Sequence, residues 1–105
     1  MQRTLGIAVA AATLSAMIAG AAAADTIKIT IKGFKFIPAA VTAHVGDTIV
    51  WTNEDAMAHT TTAKSKAWDL PVAAGASASL AVSKAGAFDY FCKIHPSMLG
   101  KVTVE

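Results

Sequence analysis

Between Ile27 and Lys32 apolar and polar side chains alternate without a break: Ile27, Ile29 and Ile31 share one parity, Lys28, Thr30 and Lys32 the other. Successive side chains of an extended strand point to opposite faces, so this spacing makes one dry face and one wet one. The pattern recurs along the chain. In VTAHV, Val41, Ala43 and Val45 face one way and His44 the other; ASLAVSK aligns Ala78, Leu80 and Val82; AFDYFC aligns Phe88, Tyr90 and Cys92; GKVTVE aligns Val102 and Val104. Gly46-Asp47 is a turn signal, and the TIVWTN that follows has apolar residues on both parities, which predicts a central strand covered on both sides near Trp51. A short strand is expected from Thr60 to Ala63, whereas KSKAWDLPVAAG, punctuated by Pro71 and Gly75, reads as a loop with Trp68 as a lid over one end of the core. No segment carries helical periodicity over a useful length. Some six or seven short strands separated by turns predict an all-β fold, an antiparallel Greek-key β-sandwich.

The first residues are of another kind. Arg3 precedes an apolar run from Leu5 to Ile18, and Ala22 and Ala24 form a small-x-small cleavage pattern before Asp25. Residues 1–24 therefore read as a secretory signal peptide and residues 25–105 as one exported domain, with no membrane span after processing. The run is diluted by Thr, Ser and Gly and lacks a basic stop-transfer flank, which argues against an anchor. The net charge of +2 includes Arg3. Without the leader the chain is close to balance, which disfavours nucleic acid as a partner. Exported domains this small commonly add a disulfide or a metal to a modest core, and a single cysteine excludes an internal disulfide.

That cysteine opens the stretch CKIHPSM, with His95 three residues on and Met98 six residues on. Cys92 shares the inward parity of Phe88 and Tyr90 at a strand end, so its sulfur should point into one end of the sandwich. A tight loop brings His95 near it, and Pro96 helps turn the chain so that the Met98 thioether returns to the same point. For a fourth ligand, parity sends His44 to solvent. His59 follows the WTNEDAMAH loop at the start of a predicted strand and is the candidate. Two imidazoles, a thiolate and a weak thioether match a blue-copper electron-transfer site, with copper cycling between Cu(I) and Cu(II).

Other chemistries fit these residues less well. Structural zinc favours several cysteines, and catalytic zinc has no use for a thioether. A Cys-His hydrolase needs an exposed thiolate and oxyanion donors, whereas Cys92 should face inward. Haem attachment requires a CxxCH pattern that is absent. Each of Cys92, His95 and Met98 taken alone is an ordinary core or surface residue; their concentration in seven positions, with a spare histidine at the same edge, favours a metal. The competing function is a copper buffer or delivery protein, although the exposed Met-rich or His-rich tracts such a protein would use are missing.

The stretches FKFIPAAVTAHVGDTIVWTNEDAMAH and GAFDYFCKIHPSMLGKVTVE resemble the small cupredoxins, and the C-x-x-H-x-x-M loop is similar to that of amicyanins rather than the longer loops of plastocyanins and pseudoazurins. The resemblance covers nearly all of the chain from Lys28 onward. It implies an eight-stranded sandwich and one type 1 copper ligated by His59, Cys92, His95 and Met98. It also implies a monomer, not an enzyme, that shuttles electrons in the bacterial periplasm between redox proteins such as a dehydrogenase and a c-type cytochrome. Docking would be transient and near His95, where Met57, Ala58, Pro96 and Leu99 could form a small apolar patch. This chain departs from the family pattern at Thr60, where an asparagine usually braces the cysteine loop, and at Ala58 and Ile94, where amicyanins carry prolines.

Overall fold

The structure, a computed structural model, describes residues 23–105; the expected signal peptide falls, but for its last two residues, outside the described residues. Among the described residues the elements are all strands: β1 Thr26–Ile31, β2 Phe36–Ile37, β3 Ala40–Ala43, β4 Thr48–Asn53, β5 His59–Ala63, β6 Asp69–Val72, β7 Ser77–Ala81, β8 Gly86–Phe91 and β9 Leu99–Val104. They form two sheets, ordered β2-β1-β4-β7 and β3-β9-β8-β5-β6. The chain passes between the sheets after β2, β3, β4, β6 and β7, so each sheet is assembled from segments distant in sequence. Most pairs are antiparallel, but β1 pairs with β4 and β3 with β9 in parallel register. No helix among the described residues is long and apolar enough to cross a membrane.

Alternation sets the faces as expected in β1, where Ile29 and Ile31 are buried, and in β9, where Val102 and Val104 are. Three readings need correction. β4 is interior to its sheet, but it alternates: Ile49, Trp51 and Asn53 are buried while Val50 on the other face is only half-buried. β3 ends at Ala43, because the His44 and Gly46-Asp47 region turns there with Asp47 N–H donating to the His44 carbonyl, so Val45 is exposed rather than inward. Asp69–Val72, assigned to a loop, is strand β6, an edge partner of β5; Pro71 is tolerated because an edge strand has one side free of ladder bonds.

The two inner faces meet around aromatic side chains. Trp51 and Tyr90 are fully buried, their rings edge to face at 5.6 Å, and Trp51 Nε1 donates to Tyr90 Oη at 3.3 Å. Burial pushes the Tyr90 phenol up to about 12. Trp68 is more than a lid: it is buried between Trp51, Phe88 and Tyr90, and its Nε1 donates to Thr61 Oγ1 at 3.1 Å. This packed layer fixes the end of β8 and hence the position of Cys92.

Candidate metal centre

Three connections converge at one end of the sandwich: the turn between β1 and β2, the loop between β4 and β5, and the loop between β8 and β9. The middle one is organised by Asn53, buried at the end of β4. Its amide donates to the Met57 and Val72 carbonyls at 2.8 and 3.1 Å, and its carbonyl accepts the Asp55 N–H at 2.9 Å. The bend thus pinned delivers His59 to the start of β5 with its side chain fully buried.

Asp55 orients that imidazole. His59 Nε2 lies 2.9 Å from Asp55 Oδ2, and the same carboxylate accepts the Gly33 and Phe34 N–H groups at 2.8 and 3.0 Å. These contacts, the Phe34 N–H first, then the Gly33 N–H and His59, hold the Asp55 carboxyl below the usual carboxylate range against the opposing effect of burial. A carboxylate only accepts, so in the neutral imidazole the proton sits on Nε2 and the Nδ1 lone pair points the other way.

His59 Nδ1 points at Cys92 and His95. It lies 3.8 Å from Cys92 Sγ and 3.2 Å from His95 Nδ1, and His95 Nδ1 lies 3.9 Å from Cys92 Sγ. The three donor atoms fall within 4.8 Å of one another. Donors at such separations can share one first-row ion bound at roughly 2.0–2.3 Å from each. Two imidazole nitrogens and one sulfur gathered at a single point are the borderline and soft donors that a first-row transition ion takes, so the donor set fits a metal.

Cys92 is clamped on several sides. Its N–H donates to the Met98 carbonyl at 3.2 Å, its Sγ accepts the Thr60 N–H at 3.3 Å, and the following amide, Lys93 N–H, donates to Thr60 Oγ1 at 2.9 Å. The Thr60 hydroxyl therefore makes the bracing contact expected of an asparagine. Met98 is buried and closes the loop by donating its N–H to the His95 carbonyl at 2.9 Å. His44 is excluded: its side chain is 69% exposed and lies against Asp47 and Glu105.

His95 is half-buried and reaches the surface. Phe34 lies over it, with its ring edge to face against His95 at 4.7 Å and His59 at 5.2 Å. Met57, Ile94 and Leu99 are each at least half exposed, and Ala58 and Pro96 are exposed as well, so Met57 and Leu99 are surface rather than core. Sequence reasoning missed Asp55, Phe34 and Asn53. Only Asp55, four residues before a candidate ligand, carried a signal that could have found it.

A buried thiol and two imidazoles gathered at one end of a two-sheet sandwich define a metal-binding β-sandwich protein. The family model of the cupredoxin-like domain matches residues 5–104, and the chain belongs to that family. It is 32% identical over 88 residues to the amicyanin of Paracoccus versutus, covering 78% of this chain and 67% of that one. It is 36% identical over 94 residues to the amicyanin of Paracoccus denitrificans, covering 83% and 72%. The crystal structure of Paracoccus versutus amicyanin superposes with a TM-score of 0.69 at 31% identity, covering 80% of this chain and 85% of that one. The chain is accordingly a blue-copper electron-transfer protein that binds one copper and serves redox partners, not an enzyme.

Proposed function

We propose that this chain is a periplasmic one-electron shuttle whose copper is held by His59, Cys92, His95 and Met98. Residues 1–24 act as the export signal, and residues 25–105 work as a monomer between a periplasmic dehydrogenase and a c-type cytochrome. The observation that carries the reading is the convergence of His59 Nδ1, His95 Nδ1 and Cys92 Sγ at 3.2–3.9 Å. Met98 joins them by its place in the loop: it is buried, and its backbone is bonded to both Cys92 and His95.

Bound copper supplies the one-electron couple, Cu(II) to Cu(I), that these side chains lack on their own. The protein contributes a frame that does not move with the charge. Asp55 and the Asn53-pinned loop hold His59, and two backbone contacts with Thr60 and Met98 hold Cys92, so little rearrangement accompanies the change of state. His95 offers the route to the surface, and the apolar rim of Phe34, Met57, Ile94 and Leu99 suits the small, short-lived contact of a redox encounter.

Addition of Cu(II) to the processed protein should give an intense blue thiolate charge-transfer band that Cys92→Ala abolishes. A colourless complex, or a band that survives the substitution, would overturn the ligand set. Stopped-flow mixing with a small c-type cytochrome should show electron exchange outrunning metal release; fast copper transfer to an acceptor with sluggish reduction would favour a delivery protein instead. N-terminal sequencing of the periplasmic fraction should begin at Asp25.

A further inference from the structure

The hydroxyl that braces the cysteine loop is the middle of a longer chain of hydrogen bonds. Thr60 Oγ1 lies 2.9 Å from Thr62 Oγ1, and Thr62 Oγ1 donates to Asp69 Oδ1 at 2.9 Å. Asp69 Oδ2 in turn receives the Lys93 ammonium at 2.6 Å. The circuit begins and ends on one residue, leaving from the Lys93 main-chain N–H and returning through its side chain. Thr60 and Thr62 are buried, while Asp69 and Lys93 are about half exposed.

The chemistry of the two ends sets the direction of every bond between them. A backbone N–H only donates and a carboxylate only accepts. Thr62 spends its single proton on Asp69, so it must accept from Thr60. Thr60 spends its own on Thr62, which leaves lone pairs facing Lys93 N–H. Bonds aligned in one sense polarise one another, so a carboxylate at the far end strengthens the acceptor at the near end. With Cys92 N–H on the Met98 carbonyl and Lys93 N–H on Thr60, the peptides on both sides of the cysteine are held.

We propose that Asp69 is a positioning residue for the cysteine loop, acting through the hydroxyls of Thr62 and Thr60 to hold the amide that follows Cys92. Its consequence for copper rests on the ligand set proposed above. The site that resemblance assigns to one asparagine is here a three-residue relay that opens at the surface on an ion pair. That makes the geometry around Cys92 sensitive to a charge on β6, in the sheet's edge strand, far from Cys92 in sequence.

The test is amide hydrogen exchange of Lys93 in the full processed protein, recorded without added metal and in the Cu(I) form. Thr60→Val should lower protection at residue 93 on the order of tenfold, because a semi-buried N–H loses its only acceptor. Thr60→Ser should keep it. Thr62→Val and Asp69→Ala should each lower it by about threefold, and the double substitution should do no more than either alone, since both cut one chain. Lys93→Met, which removes the ion pair and spares the relay, should stay close to the starting protein, and the amides of Trp51 and Val102 should not change in any variant. In the copper form, Thr60→Val and Asp69→Ala should shift the reduction potential in the same direction. Unchanged protection in Asp69→Ala and Thr62→Val, additive losses, or an equal loss in Lys93→Met would overturn the relay. If the relay variants lose protection but no blue band forms, the relay stands and the copper reading fails; if a blue band forms while Lys93 protection is unmoved, the copper reading stands and the relay fails.

Discussion

Asn53 offers a demanding test of how the loop carrying His59 is held. It is 1% exposed and its side chain makes three hydrogen bonds, two donated and one accepted. Asn53→Ala removes all of them. The Val72 carbonyl is left without this donor in the interior, where an unmet acceptor costs about 1–3 kcal/mol. The Met57 carbonyl and the Asp55 N–H lie nearer water and regain part of what they lose, so each contributes about 0.5–1 kcal/mol. The sum is about 3 kcal/mol, which for a domain of this size lowers the melting temperature by on the order of 15 °C. Asn53→Asp keeps the shape and should be no milder, because it turns both donors into an oxygen facing two carbonyls. Guanidinium unfolding of the metal-free protein, followed by the fluorescence of buried Trp51 and Trp68, measures both. Copper affinity should fall in parallel, since the released loop supplies His59 and its partner Asp55. A loss below about 1 kcal/mol in Asn53→Ala would refute the view that this side chain, rather than the backbone of β4 and β5, sets the loop.

Three further outcomes follow from the same geometry. His44→Ala should leave the copper spectrum unchanged and His59→Ala should eliminate it; the converse would mean that the turn after β3, not the start of β5, faces the metal. Tyr90→Phe should cost about 1 kcal/mol by leaving Trp51 Nε1–H without its acceptor, and an ultraviolet titration should show the phenol ionising only near a pH of about 12, any spectral change near 10.0 counting against its burial. Asp47 is held below its ordinary 3.8 first by the Asp25 N–H, then by the His44 N–H and His44 charge, and Asp69 by Lys93 and then Thr62. Carboxyls depressed on folding stabilise above the unfolded value and lose that contribution as the pH falls through the folded one. Metal-free protein should therefore lose stability progressively below about 3.8, and less steeply in Asp47→Asn, with equal slopes contradicting the assignment.

The short-range part of this protein is written in its sequence. Period-two alternation tells which side chains of β1, β8 and β9 face inward, because in a strand that depends only on position parity. The cysteine loop is equally legible: Cys92, His95 and Met98 lie within one turn of chain, and their donor types restrict the ion they suit. Parity says which face a residue takes but not which strand lies beside it. The parallel pairing of β1 with β4 and of β3 with β9, and the strand at Asp69–Val72 where Pro71 hides the pattern, follow from how two sheets pack. The same holds for the parts of the site joined across long separations. Asp55 reaches Gly33 and Phe34 over about twenty residues, and Thr60 reaches Lys93 over more than thirty. Such contacts pair common polar groups whose identity carries no address; only the packing around Trp51, Trp68 and Tyr90 brings them within bonding distance, and so decides what holds His59 and Cys92 in place.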